Sequence, residues 1–299
     1  MKNYVAKSKE QKETEIKELQ EKINQGVSEF FTSEKYIQYL KFASQFHKYS
    51  MNNIFSILMQ FPTASRVASF QTWRALKRNV KKGEKGIKIL VPAEYTYFYN
   101  KDNEFTLISN ATEQEKQDIT LKIIKTYKKI TFKIGNVFDI SQTDGEPVPQ
   151  ITNELIGETE EAKTIFEALK NIIEIPVGFE DTGASKGYFH TVENRIALNT
   201  NNSINQNAKT LVHEYTHSIL HQEINKIDRE TAEVQAESVA FIVCNYFNFD
   251  TSDYSFAYVG SWSSNKELKE LKDSADIIIK TANEIIEKIE NLIITKKAA

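Results

Sequence analysis

The string His213-Glu214-Tyr215-Thr216-His217 constrains this chain more than any other five residues. Two imidazoles four positions apart lie on one face of a helix, where both can reach a single ion. The H-E-x-x-H spacing therefore calls for a helix that carries two metal ligands and a carboxylate beside the first, the pattern of zinc hydrolases. Leu211, Val212, Ile219 and Leu220 flank the string, and Gln206-Asn207-Ala208-Lys209-Thr210 leads into it without Pro or Gly. Residues 204–222 are thus expected to form a buried amphipathic helix.

A hydrolytic zinc site needs a third protein ligand and an open fourth position. Glu233-Val234-Gln235-Ala236-Glu237 supplies two carboxylates four apart on a second helix whose other face is small and apolar, with Ala232, Ala236, Val239 and Ala240. Glu233 is assigned to the metal and Glu237 to a ring N–H of a ligand histidine, the order within the pair being open. His221 continues the four-residue series, but eight residues of helix carry it about 12 Å from His213, so packing or a hydrogen bond suits it better than coordination. His190 and His47 carry no special signal. In this reading Zn²⁺, or another divalent ion such as Mn²⁺, sits on His213, His217 and Glu233, and Glu214 is the general base. Tyr254 and Tyr258 are the catalytic candidates for donating to the oxyanion.

Charge divides the chain unevenly. Residues 1–150 carry 24 Lys and Arg against 17 Asp and Glu, a balance of +7, and residues 151–299 carry 14 against 24, a balance of −10. The positive half concentrates its charge between Ser50 and Leu90, where Arg66, Arg74, Lys77, Arg78, Lys81, Lys82, Lys85 and Lys88 are opposed only by Glu84. Tyr49, Phe70 and Trp73 interleave with these cations and Gly83 and Gly86 punctuate them, the mixture expected of a single-strand binder. Tyr49 or Trp73 would stack on bases, the cations would neutralise phosphates, and Asn52 and Asn53 would add hydrogen bonds; a solvated basic loop with Trp73 in the core is the alternative.

At 299 residues, 40% hydrophobic and 26% charged, the chain suffices for two globular domains. The run Asp144-Gly145-Glu146-Pro147-Val148-Pro149 is the expected linker, dividing residues 1–145 from 150–299. Helices are expected over residues 8–25, 33–47 and 71–78, strands over 67–70, 87–99 and 127–140, and a polar interruption over 112–125. Leu268, Leu271, Ala275, Ile278, Ala282, Ile285, Ile289 and Leu292 mark a long amphipathic helix over 265–297, packed on the second domain or paired in a coiled-coil dimer. The fold class is α+β in two domains, the first basic and the second ending in that helix. The single Cys244 excludes an intramolecular disulfide and a Cys-based zinc site. No apolar stretch approaches the ~20 residues that span a bilayer, and Met1 to Ser8 lacks the apolar core of a signal peptide, so no membrane partner and a cytoplasmic location are expected.

Several segments together resemble a known family. Tyr49-Ser50-Met51-Asn52-Asn53, Arg66-Val67-Ala68-Ser69-Phe70-Gln71-Thr72-Trp73, Lys81-Lys82-Gly83-Glu84-Lys85-Gly86-Ile87-Lys88-Ile89 and Val137-Phe138-Asp139-Ile140-Ser141-Gln142-Thr143 look like the N-terminal domain of ArdC-type antirestriction proteins. His213 to His217, Glu233 to Ala240, and Asp250 to Phe256 with Tyr258-Val259 resemble, in the same order, the zincin-like metallopeptidase domain that follows it, of the ImmA/IrrE class. The likeness covers roughly residues 30–260. It implies a protein of conjugative plasmids or other mobile elements that binds single-stranded DNA, shields incoming DNA from restriction and carries a peptidase of unknown protein substrate. A regulatory peptidase that cleaves a repressor, and a DNA-shielding protein with an inactive metal site, are the alternatives. Residues 100–128 depart from the resemblance in being longer and richer in lysine, and so does His190, where an acidic or neutral residue is expected.

Overall fold

The computed structural model describes residues 9–148, 160–222, 227–254 and 256–298. Three helices open the chain. α1 (Lys9–Phe30) buries Leu19, Ile23 and Val27 at four-residue spacing, α2 (Ser33–Gln45) buries Tyr36, Tyr39, Leu40 and Ala43, and α3 (Met51–Gln60) buries Ile54, Phe55, Ile57 and Leu58. The sequence reading left α3 out, although Asn53, Ser56 and Gln60 recur along it at helical spacing. β1 (Val67–Ser69) then turns directly into α4 (Phe70–Ala75), whose first turn is capped by the Ser69 hydroxyl accepting from the Thr72 N–H. Lys77 adopts a left-handed φ of 56°, which ends that helix short of Arg78 and starts β2 (Arg78–Val80) instead.

β3 (Ile87–Tyr99), β4 (Phe105–Leu107), α5 (Glu113–Thr120), β5 (Thr126–Asp139) and β6 (Thr143–Gly145) complete the first half. α5 lies in the expected polar interruption and is started by a reciprocal cap between Thr112 and Glu115. β1, β5, β3 and β4 form one antiparallel sheet in that order, and β2 pairs with β6. β3 and β5 stay paired from Ile87 opposite Val137 to Phe98 opposite Thr126, a long two-stranded arm. α3 covers the free edge of β3 at the base of this arm. Asn53 exchanges hydrogen bonds with both backbone groups of Leu90 (2.9 and 2.8 Å), and Gln60 does the same for Lys88 (2.9 and 3.0 Å). Two amides on one helix thereby replace a missing strand.

The second half comprises α6 (Glu160–Ile172), β7 (Val177–Glu180), β8 (Gly187–His190), β9 (Arg195–Asn199), α7 (Ile204–Leu220), α8 (Arg229–Tyr246), α9 (Val259–Ser264) and α10 (Leu268–Ala298). β9 is central, parallel to β7 and antiparallel to β8. α7 packs against β8 and β9, and Gly187 makes the approach possible, since a Cβ there would lie 2.6 Å from both the Ala197 carbonyl and Thr210 Cγ2. α10 buries Ala275, Ile278, Ile279, Ala282, Ile285, Ile286 and Ile289 and lies against α8, α6 and α1, so its apolar stripe is consumed within the chain.

The expected division near residues 145–150 separates the sheets and not the core; Pro149 and the residues after it up to 159 lie outside the described ones. α1 to α3 share one continuous hydrophobic core with α7, α8 and α10. The buried Tyr36 hydroxyl bonds Ser238 Oγ of α8 (2.8 Å), Asn245 Nδ2 donates to Ser44 Oγ (2.7 Å), and Lys272 Nζ of α10 donates to Asn24 Oδ1 (2.9 Å). Among the described residues no helix is long and apolar enough to cross a membrane.

Candidate metal centre

α7 and α8 run side by side, and their facing stripes bring the expected donors together. Ser203 caps α7 by accepting from the Gln206 N–H, and Asp228 caps α8 by accepting from the Thr231 N–H, so both ligand helices start at fixed points. His213 Nε2 and His217 Nε2 lie 3.1 Å apart, and Glu233 Oε2 is 3.5 Å from the first and 3.8 Å from the second. Donors held tetrahedrally at about 2.0–2.1 Å from one ion are roughly 3.3–3.4 Å apart, so these three fit a single divalent metal. Two nitrogens and a carboxylate oxygen converging on one point form a donor set that a cation satisfies and a proton shares poorly. The fields agree. Burial opposes a charge on His213, but Glu233 and Glu237 overcome it and push the imidazole up to about 10. His213 and His217 in turn hold the Glu233 carboxyl well below the usual carboxylate range.

The partners around the donors are ordered. His213 Nδ1 bonds Glu237 Oε2 at 2.9 Å, which leaves Nε2 free to coordinate. His217 Nδ1 meets His221 Nδ1 at 2.9 Å, His221 Nε2 meets Gln235 Oε1 at 3.0 Å, and Gln235 Nε2 donates to Ser274 Oγ of α10 at 3.2 Å. His221 therefore touches a ligand and stays off the donor set. Glu214 lies beside the donors, raised above the ordinary carboxylate value by burial, with the charges of His213 and His217 and the backbone of Phe189 in β8 opposing the rise. His190 sits at the end of β8, where its Nδ1 accepts from the Glu193 N–H (3.1 Å), apart from the cluster.

Two clefts flank the donors. One, of about 310 Å³, is lined by His213, Glu214, Glu237, Lys209, Asp253 and Tyr254 among others; the second, of about 510 Å³, by Glu233, Glu237, Arg229, Tyr258 and Trp262. Lys209, largely buried, ion-pairs Asp253 (2.9 Å) with its ammonium 5.1 Å from the centre of the Tyr254 ring. The sequence reading missed this pair, although Lys209 precedes His213 by one turn on the same face. Tyr254 packs against Phe241 and Phe256 with its hydroxyl toward the Cys244 thiol, whereas Tyr258 opens into the cleft that holds Glu233.

In the basic stretch the structure gives several of the expected DNA-contact residues framework duties. Trp73 is 0% exposed and its indole N–H donates to the Phe138 carbonyl (2.8 Å), which leaves no ring face for a base. Tyr49 is partly buried and donates to the Val67 carbonyl (3.2 Å), and Asn53 is spent on the edge of β3. Arg78 clamps β6 through Thr143, Gly145 and Glu146. Lys81 bonds the Ser141 carbonyl and faces Asp144, and Lys88 lies 3.5 Å from Glu15. Apart from Lys88, whose partner is a carboxylate of α1, each of these residues gives a backbone carbonyl of a strand or turn its partner. Arg66, Arg74, Lys77, Lys82 and Lys85 are exposed, and Asn52 is half-buried.

Comparison with known proteins agrees with this construction. Residues 8–137 match the N-terminal domain of anti-restriction factor ArdC, and residues 171–260 match the IrrE N-terminal-like domain. The uncharacterized protein pXO2-81 of Bacillus anthracis is 30% identical over 98% of this chain, which spans about half (54%) of that protein's length. The metal-free crystal structure of antirestriction protein ArdC from plasmid R388 superposes with a TM-score of 0.50 at 19% identity, covering 80% of this chain and 85% of that one. Its Mn(II)-bound form gives 0.46 at 20% identity over 80% and 84%. A match to the ArdC N-terminal domain followed by a match to the IrrE-like peptidase domain gives this chain the two-domain arrangement of ArdC-type antirestriction proteins, to which it is similar.

Proposed function

We propose that this chain is an antirestriction protein of a mobile element that binds single-stranded DNA with its basic half and hydrolyses a peptide bond at a zinc-dependent centre. The convergence of His213 Nε2, His217 Nε2 and Glu233 Oε2 within 3.8 Å beside a half-buried Glu214 carries the reading. A divalent ion on those donors, Zn²⁺ before Mn²⁺ by its preference for two nitrogens and one oxygen, supplies Lewis acidity to the scissile carbonyl and to the attacking water. Glu214 takes the proton of that water and passes it to the leaving amine. Glu237 holds His213 in the tautomer that presents Nε2, and His221 does the same for His217. Tyr258, in the cleft with Glu233, is the better placed of the two tyrosines to donate to the oxyanion. Exposed Arg66, Arg74, Lys77, Lys82 and Lys85 provide phosphate contacts on the basic half. Such a protein works where the incoming strand arrives, in the cytoplasm.

The test is E214Q beside H217A. Metal analysis of the purified proteins should find one divalent ion in wild type and E214Q and none in H217A, and E214Q should lose cleavage of a peptide library. Transfer of unmodified DNA into a restricting host then separates the alternatives. Loss of protection with E214Q makes hydrolysis part of protection, whereas full protection with E214Q identifies a DNA shield whose metal site is idle. Absence of metal from wild type under all loading conditions refutes the centre.

A further inference from the structure

The segment Tyr95-Thr96-Tyr97-Phe98-Tyr99 places a tyrosine at every second position of β3, and alternate residues of a strand share a face. The register puts Tyr127 opposite Tyr97, Lys129 opposite Tyr95 and Phe105 opposite Tyr99, all on that same face of the arm. Phe98, on the other face, is fully buried. The tyrosine face is open: Tyr99 is 47% exposed, Phe105 43%, and Tyr95 and Tyr127 38% each. Its rings brace one another, with Tyr97 stacked on Phe105 at 4.8 Å and Tyr99 edge-on to Tyr127 at 5.8 Å. Large rings left together in solvent mark a binding surface.

Charge selects the occupant. Lys129, and Lys133 opposite Val91, stand exposed on the tyrosine face, and Lys125 Nζ lies 5.4 Å from the centre of the Tyr127 ring. The one carboxylate of β3, β4 or β5 on that face, Asp139 at the far end of β5, is buried and accepts from the Ser65, Arg66 and Ser141 N–H groups (2.8, 3.0 and 2.9 Å); Glu94, the one acid of β3, lies on the opposite face against Lys128 (2.8 Å). A second copy docked there would set lysines against lysines. We infer that this face is the base-stacking platform for a single nucleic-acid strand, with the rings taking bases and Lys125, Lys129 and Lys133 taking phosphates. The inference rests on the single-strand reading above and moves the stacking contact from Trp73 and Tyr49 to the arm.

The test measures binding of labelled oligothymidine, and of an abasic deoxyribose-phosphate oligomer of equal length, at two salt concentrations. Wild type should prefer oligothymidine. The variant Y99A/F105A/Y127A should lose roughly 5- to 150-fold in that affinity per stacked base and keep its affinity for the abasic strand. Y99F/Y127F, which keeps the rings, should bind as wild type does, and K129E/K133E should weaken both strands and flatten the salt dependence. Should the triple variant melt early, Y95A reads the same contact alone. Unchanged oligothymidine affinity in a folded ring variant overturns the platform, as does wild-type dimerisation that the ring variant abolishes without any effect on DNA. A wild type that binds neither strand overturns the single-strand reading itself.

Discussion

Replacing His221 by alanine is expected to weaken divalent-metal binding by about 10- to 100-fold, ~1.4–2.8 kcal/mol, although His221 donates nothing to the metal. For His217 to offer Nε2 it must keep its proton on Nδ1, which faces His221 Nδ1 at 2.9 Å. His221 then accepts there, keeps its own proton on Nε2 and donates to Gln235 Oε1 at 3.0 Å. Gln235 Nε2 in turn donates to Ser274 Oγ at 3.2 Å. The donors run one way from α7 through α8 to α10, so each ring has a single consistent tautomer. Burial also pushes the His221 ring below the usual histidine value, which keeps it neutral and able to accept. Without His221 the ring of His217 is free to turn and its N–H loses a partner in a half-buried place. Gln235→Leu removes only the second link and should cost less, a few-fold. Competition with a fluorescent chelator gives the affinities, and melting curves of the metal-free proteins control for folding. A folded His221→Ala protein that binds zinc within twofold of wild type refutes the argument.

Three further outcomes follow from particular contacts. Gly187→Ala puts a Cβ 2.6 Å from the Ala197 carbonyl and Thr210 Cγ2, so urea unfolding should show a loss of about 1–3 kcal/mol, and wild-type stability would show that α7 has room to move away from β8. Among the described residues neither ring nitrogen of the buried His47 has a hydrogen-bond partner; burial holds its value below 6.5, with Glu290 and Glu287 opposing and Lys48 assisting. The unfolded chain therefore takes up this proton first, and the contribution is full above pH 6.5 and is lost as pH falls below it, so His47→Leu should flatten the stability profile between about pH 7 and 5. Trp73→Phe should cost about 1–3 kcal/mol through the lost bond to Phe138 and the vacated volume while leaving oligothymidine affinity unchanged; weaker DNA binding at full stability would return Trp73 to the interface.

The metal cluster was legible because coordination chemistry writes itself at helical spacing. His213 and His217, and Glu233 and Glu237, each lie four apart, and two such pairs on facing helices can meet at one point. The long strands of the arm were legible by their alternation. α3 was overlooked, although Asn53, Ser56 and Gln60 recur at helical spacing along Met51 to Gln60 and give it one polar edge. The duties of Asn53, Arg78 and Lys81 were hidden: a cation or amide in a polar, glycine-rich stretch reads the same whether it faces phosphate or a neighbouring carbonyl. Only the pairings of β3, β5 and β6 decide. α5 is the opposite case, since Thr112 and Glu115 spell a helix start within a stretch read as an interruption.

The junction of the two halves was the least legible feature, because Tyr36 and Ser238 meet across 202 residues of chain. Ser238 follows Glu237, the residue that orients His213, so the packing of α2 on α8 reaches the metal helix directly. A continuous core also means that neither half can lose its packing without exposing apolar surface of the other. The two halves should therefore unfold together. In a Trp262→Phe protein the remaining Trp73 reports the base of the basic half, and far-ultraviolet ellipticity reports the helices of both halves, with the larger share in the other. The two signals should give coincident denaturant midpoints, and Tyr36→Phe should lower both equally, by about 1–3 kcal/mol, since Ser238 is left unpartnered in the core. Separate midpoints, or a Tyr36→Phe effect confined to one signal, would mean that the halves are independent domains that touch without sharing stability.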